Sequence, residues 1–384
     1  VIEGALPPPL RGQEPDSWAR YSIVVRLPEI ARRTLAENEF SREVASRIEA
    51  LVGEIPDGRL RPIDDGSAPD AAAWNEWLQP SLRDNWLTAP WFTVETYFYR
   101  RLIAITGYFQ GDPDPFRHQK EQALDRADRI VQVQPSVAPT GDLLLAALWA
   151  NQADLSMWPH GAEASGRQAP SPAAERLLVD DREAITSQMA AAADGGRLDI
   201  ALDNVGAELA ADLLLADRAL ARGAQVRLHA KLHPTFVSDA TPIDVRRTLE
   251  HWVAQGDSRA GQLAERLRRC LSSGQLLITA DPYWTSPLPG WEMPDGLSQD
   301  LAGADLLIVK GDANYRRMLG DRHWPPTTPL ESVVRYLPAP LGALRALKAN
   351  VLAGLDQATI ARTQAIDPDW MIDGRWGLIQ YAPS

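Results

Sequence analysis

Arg197-Leu-Asp-Ile-Ala-Leu-Asp-Asn-Val-Gly-Ala-Glu-Leu209 is the stretch that decides the fold. A short apolar run ends at Asp203 and Asn204, and a helical pattern begins at Ala207. The spacing predicts a strand over 200–203 and a helix over 207–222, which puts two oxygen-bearing side chains at the mouth of a sheet. Lys231-Leu-His-Pro-Thr-Phe-Val-Ser-Asp239 and Leu306-Leu-Ile-Val-Lys-Gly-Asp-Ala-Asn-Tyr-Arg316 have the same form. Further strands are expected over 225–231, 275–280, 304–310, 332–337 and 376–381, with helices over 242–255 and 259–272 and 344–350 left open. Strands alternating with helices give an α/β fold: a three-layer, doubly wound, mostly parallel sheet. In such sheets ligands bind beyond the carboxyl ends of the strands.

Toward the N-terminus the pattern is helical. Residues 1–20 read as a Pro-rich extended arm. Helical spacing follows over 26–52, 71–87, 91–109 (entered through Pro90), 120–133 and 141–151. The chain therefore divides into a mostly helical domain, 1–190, and an α/β metal- and phosphate-binding domain, 191–384. At 384 residues there is material for one large domain or two ordinary ones. A formal charge of −12 with no Lys/Arg-rich run argues against nucleic acid or an anionic membrane as partner. Cys270 is the single cysteine, which excludes an intrachain disulfide and a cysteine-based zinc cluster. No apolar stretch has membrane-spanning length and no signal peptide is visible, so a cytoplasmic location is expected.

Asp203, Asn204 and Asp239 offer two carboxylates and one neutral amide, oxygen donors that suit Mg²⁺ or Mn²⁺. The amide leaves the ion less neutralised and able to attract a phosphate dianion. On spacing alone, an Asp-Asn and a Ser-Asp helix cap explain the same residues, and both readings stand. In the 306–316 stretch, Gly311 lets backbone approach a ligand, Asp312 and Asn314 can hold hydroxyls or water, and Lys310 and Arg316 can neutralise phosphate. A capping turn is the competing account. A Walker loop, a G-x-G-x-x-G and a G-x-S-x-G are all absent. His229 and His233 lack the H-E-x-x-H pattern and are assigned structural roles, while His323 is expected in a loop.

Taken in order, these stretches resemble the metal-dependent damage-control phosphatases, the domain-of-unknown-function 89 group, in its third, sugar-phosphate-active subfamily, where an acidic-residue methyltransferase name is also in use. The matching segments are 202–212, 231–239, 309–317, Leu344-Arg-Ala-Leu-Lys348, Trp376-Gly-Leu-Ile-Gln380 and the helix Trp91-Phe-Thr-Val-Glu-Thr-Tyr-Phe-Tyr-Arg-Arg101. Order and spacing agree from about residue 89 onward. The resemblance implies a helical N-terminal domain packed on an α/β/α domain, with a divalent metal (Mn²⁺, Co²⁺, Ni²⁺ or Mg²⁺) in the cleft between them. It implies Asp203, Asn204 and Asp239 as catalytic metal ligands, Lys310, Asp312, Asn314, Tyr315, Arg316 and Lys348 as substrate-binding residues, and Glu95 and Arg100 as contributors from the helical side. For the last two, an ion pair within the helix is the alternative. Two positions depart from the family pattern: Ala346 stands where a Thr is usual, and Ala313 where a Leu is usual.

The implied activity is hydrolysis of a small phosphate monoester, a sugar phosphate or related metabolite, which would be the partner molecule. The rival readings are a sugar-phosphate-binding protein or diverged biosynthetic enzyme on this scaffold, and a carboxyl methyltransferase, for which no glycine-rich methyl-donor loop is present.

Overall fold

The computed structural model describes residues 5–66, 68–133, 138–150 and 173–384. Seven strands form one sheet: β1 (Leu177–Asp180), β2 (Arg197–Ala201), β3 (Gln225–His229), β4 (Leu276–Thr279), β5 (Leu306–Lys310), β6 (Leu341–Ala346) and β7 (Gly377–Ala382). The spatial order is β1-β7-β6-β5-β2-β3-β4. All neighbours are parallel except β6 and β7. Strands after β2 are added on one side through β3 and β4, then on the other through β5, β6 and β7. The order thus reverses between β2 and β5, the switch point at which open α/β sheets leave a crevice.

The central strands are buried on both faces, as parallel strands covered by helices must be. β5 shows the two faces by alternation. Leu307 and Val309 join one core with Trp74, Trp91 and Tyr97 of the N-terminal helices, and Leu306 and Ile308 join the other with Leu209, Leu213 and Leu144. The Trp91–Thr106 helix is buried around nearly its whole circumference and ends at Gly107, whose φ of 76° only glycine adopts cheaply. Helices Arg117–Val133 and Thr140–Trp149, in the part of the chain expected to form the helical domain, pack in the second core, against Ala207–Leu220.

Several elements differ from expectation. Residues 332–337 are not a strand: Leu330–Val334 is a short helix entered through Pro329, and the sheet position belongs to β6. The helix expected over 71–87 stops at Leu78 and passes into a 3₁₀ turn containing Pro80. The helical pattern over 26–52 breaks between Glu37 and Arg42 into two helices. β1 and the Arg182–Ala191 helix occupy a region expected to precede the sheet. The segment after β5 is helical from Gly311 onward. The arm is pinned by bridges Pro9–Arg322 and Arg11–Pro90; its first four residues, and Asn151, lie outside the described residues. Among the described residues no helix is long and apolar enough to cross a membrane.

Candidate active site

The crevice at the switch point opens into a cleft of about 750 Å³, including its mouth, lined by the sheet on one side and N-terminal helices on the other.

The strand-end wall is fixed by backbone. The loop leaving β2 and the loop leaving β3 form a bridge at Asn204 and Asp239, with Ala240 N donating to Asp203 O (2.7 Å) and Val205 N to Ser238 O (2.8 Å). All three proposed metal ligands therefore stand side by side on the cleft wall. Gly311 makes room for them: a Cβ there would fall 1.8 Å from Asp203 Oδ2, and its φ is 82°. Asn204 Nδ2 donates to Asp203 Oδ2 (2.9 Å) and Glu208 Oε2 (3.1 Å), while its Oδ1 accepts from Ser238 Oγ (2.5 Å). Capping does not account for this set, since neither Asp203 nor Asp239 side chain caps the helix that follows it.

Both carboxylates are buried. Lys231 Nζ lies 3.0 Å from Asp239 Oδ2, yet among the described residues neither Asp239 oxygen accepts a well-aligned hydrogen bond. Burial raises the Asp239 pKa against the opposing pull of Lys231. Burial, then the Glu208 and Asp239 carboxylates, raise that of Asp203 well above the usual range. Two buried carboxylates and a neutral amide fit a divalent cation: they are hard oxygen donors, and the two Asp239 oxygens lack a well-aligned hydrogen bond. Among the described residues no three His, Cys, Asp or Glu side chains cluster as a metal centre.

The other expected residues divide. Glu95, Asp312, Arg316 and Lys348 line the cleft, as does Ala313, where the small side chain leaves space. Asp312 Oδ1 accepts from Arg345 Nε (2.8 Å) and Lys348 N (3.3 Å), which sets the backbone from which the Lys348 side chain rises. Lys348 is half-buried, and among the described residues its ammonium has no ion pair. Arg316 is held on all sides: Asp321 takes Nε (2.7 Å) and Nη2 (3.1 Å), Glu95 takes Nη1 (2.7 Å), and the guanidinium lies 3.7 Å over Trp91. It forms a wall with its charge already matched.

Lys310, Arg100, Asn314 and Tyr315 are elsewhere. Lys310 is fully buried, its ammonium held by Asp212 (2.9 Å), Glu208 (3.2 Å) and Ala147 O (3.0 Å), so it cannot meet a phosphate in the cleft. Arg100 does not pair with Glu95; it is buried in a fork to Asp70 (3.0 and 2.8 Å) and an ion pair with Asp65 (2.9 Å). Asn314 Nδ2 donates to Leu202 O (3.0 Å) and Lys310 O (2.8 Å), bracing the ends of β2 and β5. Tyr315 Oη donates to Gln380 Oε1 (2.9 Å), away from the cleft.

Residues not singled out from sequence complete the site. Lys231 supplies buried positive charge beneath Asp239, and its place at the end of β3 was a usable signal. Glu208, one turn beyond Asn204, was another. Ser22, Arg26 and Tyr99 line the opposite wall, where only tertiary packing assembles them. Ser22 and Arg26 belong to a π-helical segment, Ser22–Arg26, a form frequent at functional sites, and Ser22 Oγ donates to Glu95 Oε1 (2.7 Å). His229 pairs with Asp199 (2.9 Å) and His233 is buried near Asp70 (3.6 Å), both in structural settings. His323 lies in the loop where it was expected and pairs with Glu14 (2.9 Å).

Residues 22–362 match the model of the damage-control phosphatase ARMT1-like domain. The zebrafish (Danio rerio) protein named damage-control phosphatase ARMT1 is 30% identical, with 99% of this chain and 98% of the relative covered. The Xenopus laevis protein of that name is 31% identical over 84% of this chain and 83% of its own, and the human protein 27% over 98% of each. A crystal structure of a DUF89 family protein from Pyrococcus horikoshii shares the fold, with a TM-score of 0.51 at 14% identity, covering 94% of this chain and 97% of that one. The chain belongs to the damage-control phosphatase ARMT1-like family.

Proposed function

We propose that this protein hydrolyses a small phosphate monoester, a sugar phosphate or related metabolite, using a divalent metal that Asp203, Asn204 and Asp239 would hold. The observation that carries the reading is the pair of buried carboxylates, Asp203 and Asp239, at the switch point, with both Asp239 oxygens lacking a well-aligned hydrogen bond among the described residues, in a chain whose relatives are named phosphatases. When bound, the metal supplies Lewis acidity toward a phosphoryl oxygen and lowers the pKa of a bound water.

The chain's own side chains have separable tasks. Glu208 accepts from the Asn204 amide nitrogen and Ser238 donates to its oxygen, which together fix the plane of the amide beside Asp203. Lys231 limits the repulsion between Asp239 and its neighbours. Lys348, set by Asp312 and unpaired among the described residues, is placed to bind a phosphoryl oxygen and to stabilise its charge as the ester bond breaks. Arg316 and Trp91 form a rigid wall that keeps the ester from turning. Lys310 takes no part in phosphate binding and serves as counter-ion to Glu208 and Asp212.

The test is phosphate release from a panel of sugar phosphates and nucleotides with Mn²⁺, Co²⁺, Ni²⁺ or Mg²⁺, and with chelator. Metal-dependent release is expected. Metal binding without release from any substrate would instead favour a binding protein or a diverged enzyme.

A further inference from the structure

Tyr99 is the residue whose placement the proposed chemistry leaves unexplained. It lies on the inner face of the Trp91–Thr106 helix, only 3% exposed, and lines the cleft. Three aromatic neighbours fix its ring: Phe98 (5.3 Å between centroids), Phe116 (5.9 Å) and Phe236 (5.1 Å). With the ring held, the hydroxyl has one direction available. Buried tyrosine hydroxyls normally find a hydrogen-bond partner. Among the described residues this one has none, and it stands within the fields of Arg26, Glu95 and Asp239. Phe236, which packs on it, and Val237 are consecutive non-glycine residues at positive φ, 45° and 70°, in the loop that carries Asp239. Such backbone is strained and persists where the surroundings enforce it. The same loop therefore positions a proposed metal ligand and one side of the Tyr99 ring.

We propose that Tyr99 is a substrate-binding residue, its hydroxyl hydrogen-bonding a hydroxyl on the organic portion of the substrate and so selecting polyhydroxylated phosphate esters over plain ones. The proposal rests on the phosphatase reading of the cleft. Ser22 and Arg26 flank the same wall, so the ester's phosphoryl end faces Lys348 and the strand-end carboxylates while its hydroxyls face the helices. Tyr99 acts on the bound molecule directly. Losing it weakens recognition of hydroxylated substrates and leaves the metal ligands in place.

Tyr99→Phe removes the hydroxyl and keeps the ring, so the aromatic packing survives. The experiment compares kcat/KM for a hexose monophosphate with that for p-nitrophenyl phosphate, whose aryl group carries no hydroxyl, in wild type and variant. The expected result is a fall of about five- to tenfold in the ratio of the two, the worth of one hydrogen bond, carried mainly by KM, with Mn²⁺ titration unaltered. A ratio within twofold of wild type in a variant that still binds Mn²⁺ overturns the proposal. If wild type releases phosphate from neither compound, the phosphatase reading fails and Tyr99 is judged by binding alone. Quenching of tryptophan fluorescence, with Trp18 and Trp91 in the cleft wall, then reads hexose monophosphate against inorganic phosphate. Selective weakening of the hexose ester in Tyr99→Phe supports the assignment. Equal weakening, or no binding to either protein, overturns it.

Discussion

Asp203, Asn204 and Asp239 stand on loops stitched together by backbone hydrogen bonds at the ends of parallel strands, whereas Ser22, Arg26, Glu95 and Tyr99 reach the cleft from helices. The strand-end wall is short-range in sequence terms: each ligand follows its strand within two residues or belongs to the loop that strand feeds. The helical wall is assembled from segments some seventy residues apart, such as Ser22 and Glu95. Backbone anchoring gives the tolerance that metal binding demands, and side chains on packed helices can vary to suit the organic part of a ligand without disturbing it. On the proposed reading, chemistry belongs to the first wall and recognition to the second.

Two lysines at the edge of this comparison break it most strongly. Lys310→Met should cost about 3–5 kcal/mol of stability, because Glu208 and Asp212 are left buried without their counter-ion, and urea unfolding reads that loss. Lys348→Met should unfold within about 0.5 kcal/mol of wild type, yet lose roughly 10²-fold in phosphate-releasing kcat/KM. Equal behaviour of the two variants would contradict the division between structural and functional cations. A smaller effect sharpens the strand-end wall itself. Glu208→Gln should weaken Mn²⁺ binding by roughly 10–100-fold in calorimetric titration, since Glu208 orients the Asn204 amide, and unaltered affinity would remove Glu208 from the site.

How far the sequence discloses these walls follows from the range of the interactions. The strand-to-helix junctions at Asp203, Asp239 and Asp312 are local events, so the α/β class and the gathering of these residues at the strand ends are legible. Lys310 was legible too, by a rule not applied to it. It continues the alternation of Leu306 and Ile308, the face that packs in the second core, and so it turns away from the face shared by Leu307 and Val309. Arg100 needed Asp65 and Asp70, from a loop whose fold no local pattern announces. Tyr99 sits on a helix buried on every side, where periodicity no longer marks a special face. The strand expected over 332–337 failed because its paired valines carry β propensity in a segment that Pro329 starts as a helix.

The smallest expected effect lies where the helices meet the sheet's outer layer. Lys120 pairs with Asp114 (2.8 Å) and Asp244 (2.7 Å), and Asp244 also closes a capping box with Thr241. Burial pushes the Asp244 pKa up, but Lys120 and the Thr241 bonds outweigh it and the net shift is downward. A carboxylate with a depressed folded-state pKa contributes stability above its unfolded value, and that contribution is lost as pH falls through the folded one. Asp244→Asn should therefore lower stability near neutrality and flatten its acid dependence below about pH 4, measured by urea midpoints across pH. An unchanged acid limb would show that this pair does not tie the layers.

The central claim is that the strand-end wall performs the chemistry, and phosphate release by metal-loaded wild type against Asp203→Ala tests it most directly. Circular dichroism and thermal unfolding establish that the variant is folded. The account predicts metal-dependent release by wild type and a loss of roughly 10³-fold or more in Asp203→Ala, with folding intact because the variant removes a buried carboxylate that repels its neighbours. Full activity in a folded Asp203→Ala protein would contradict it.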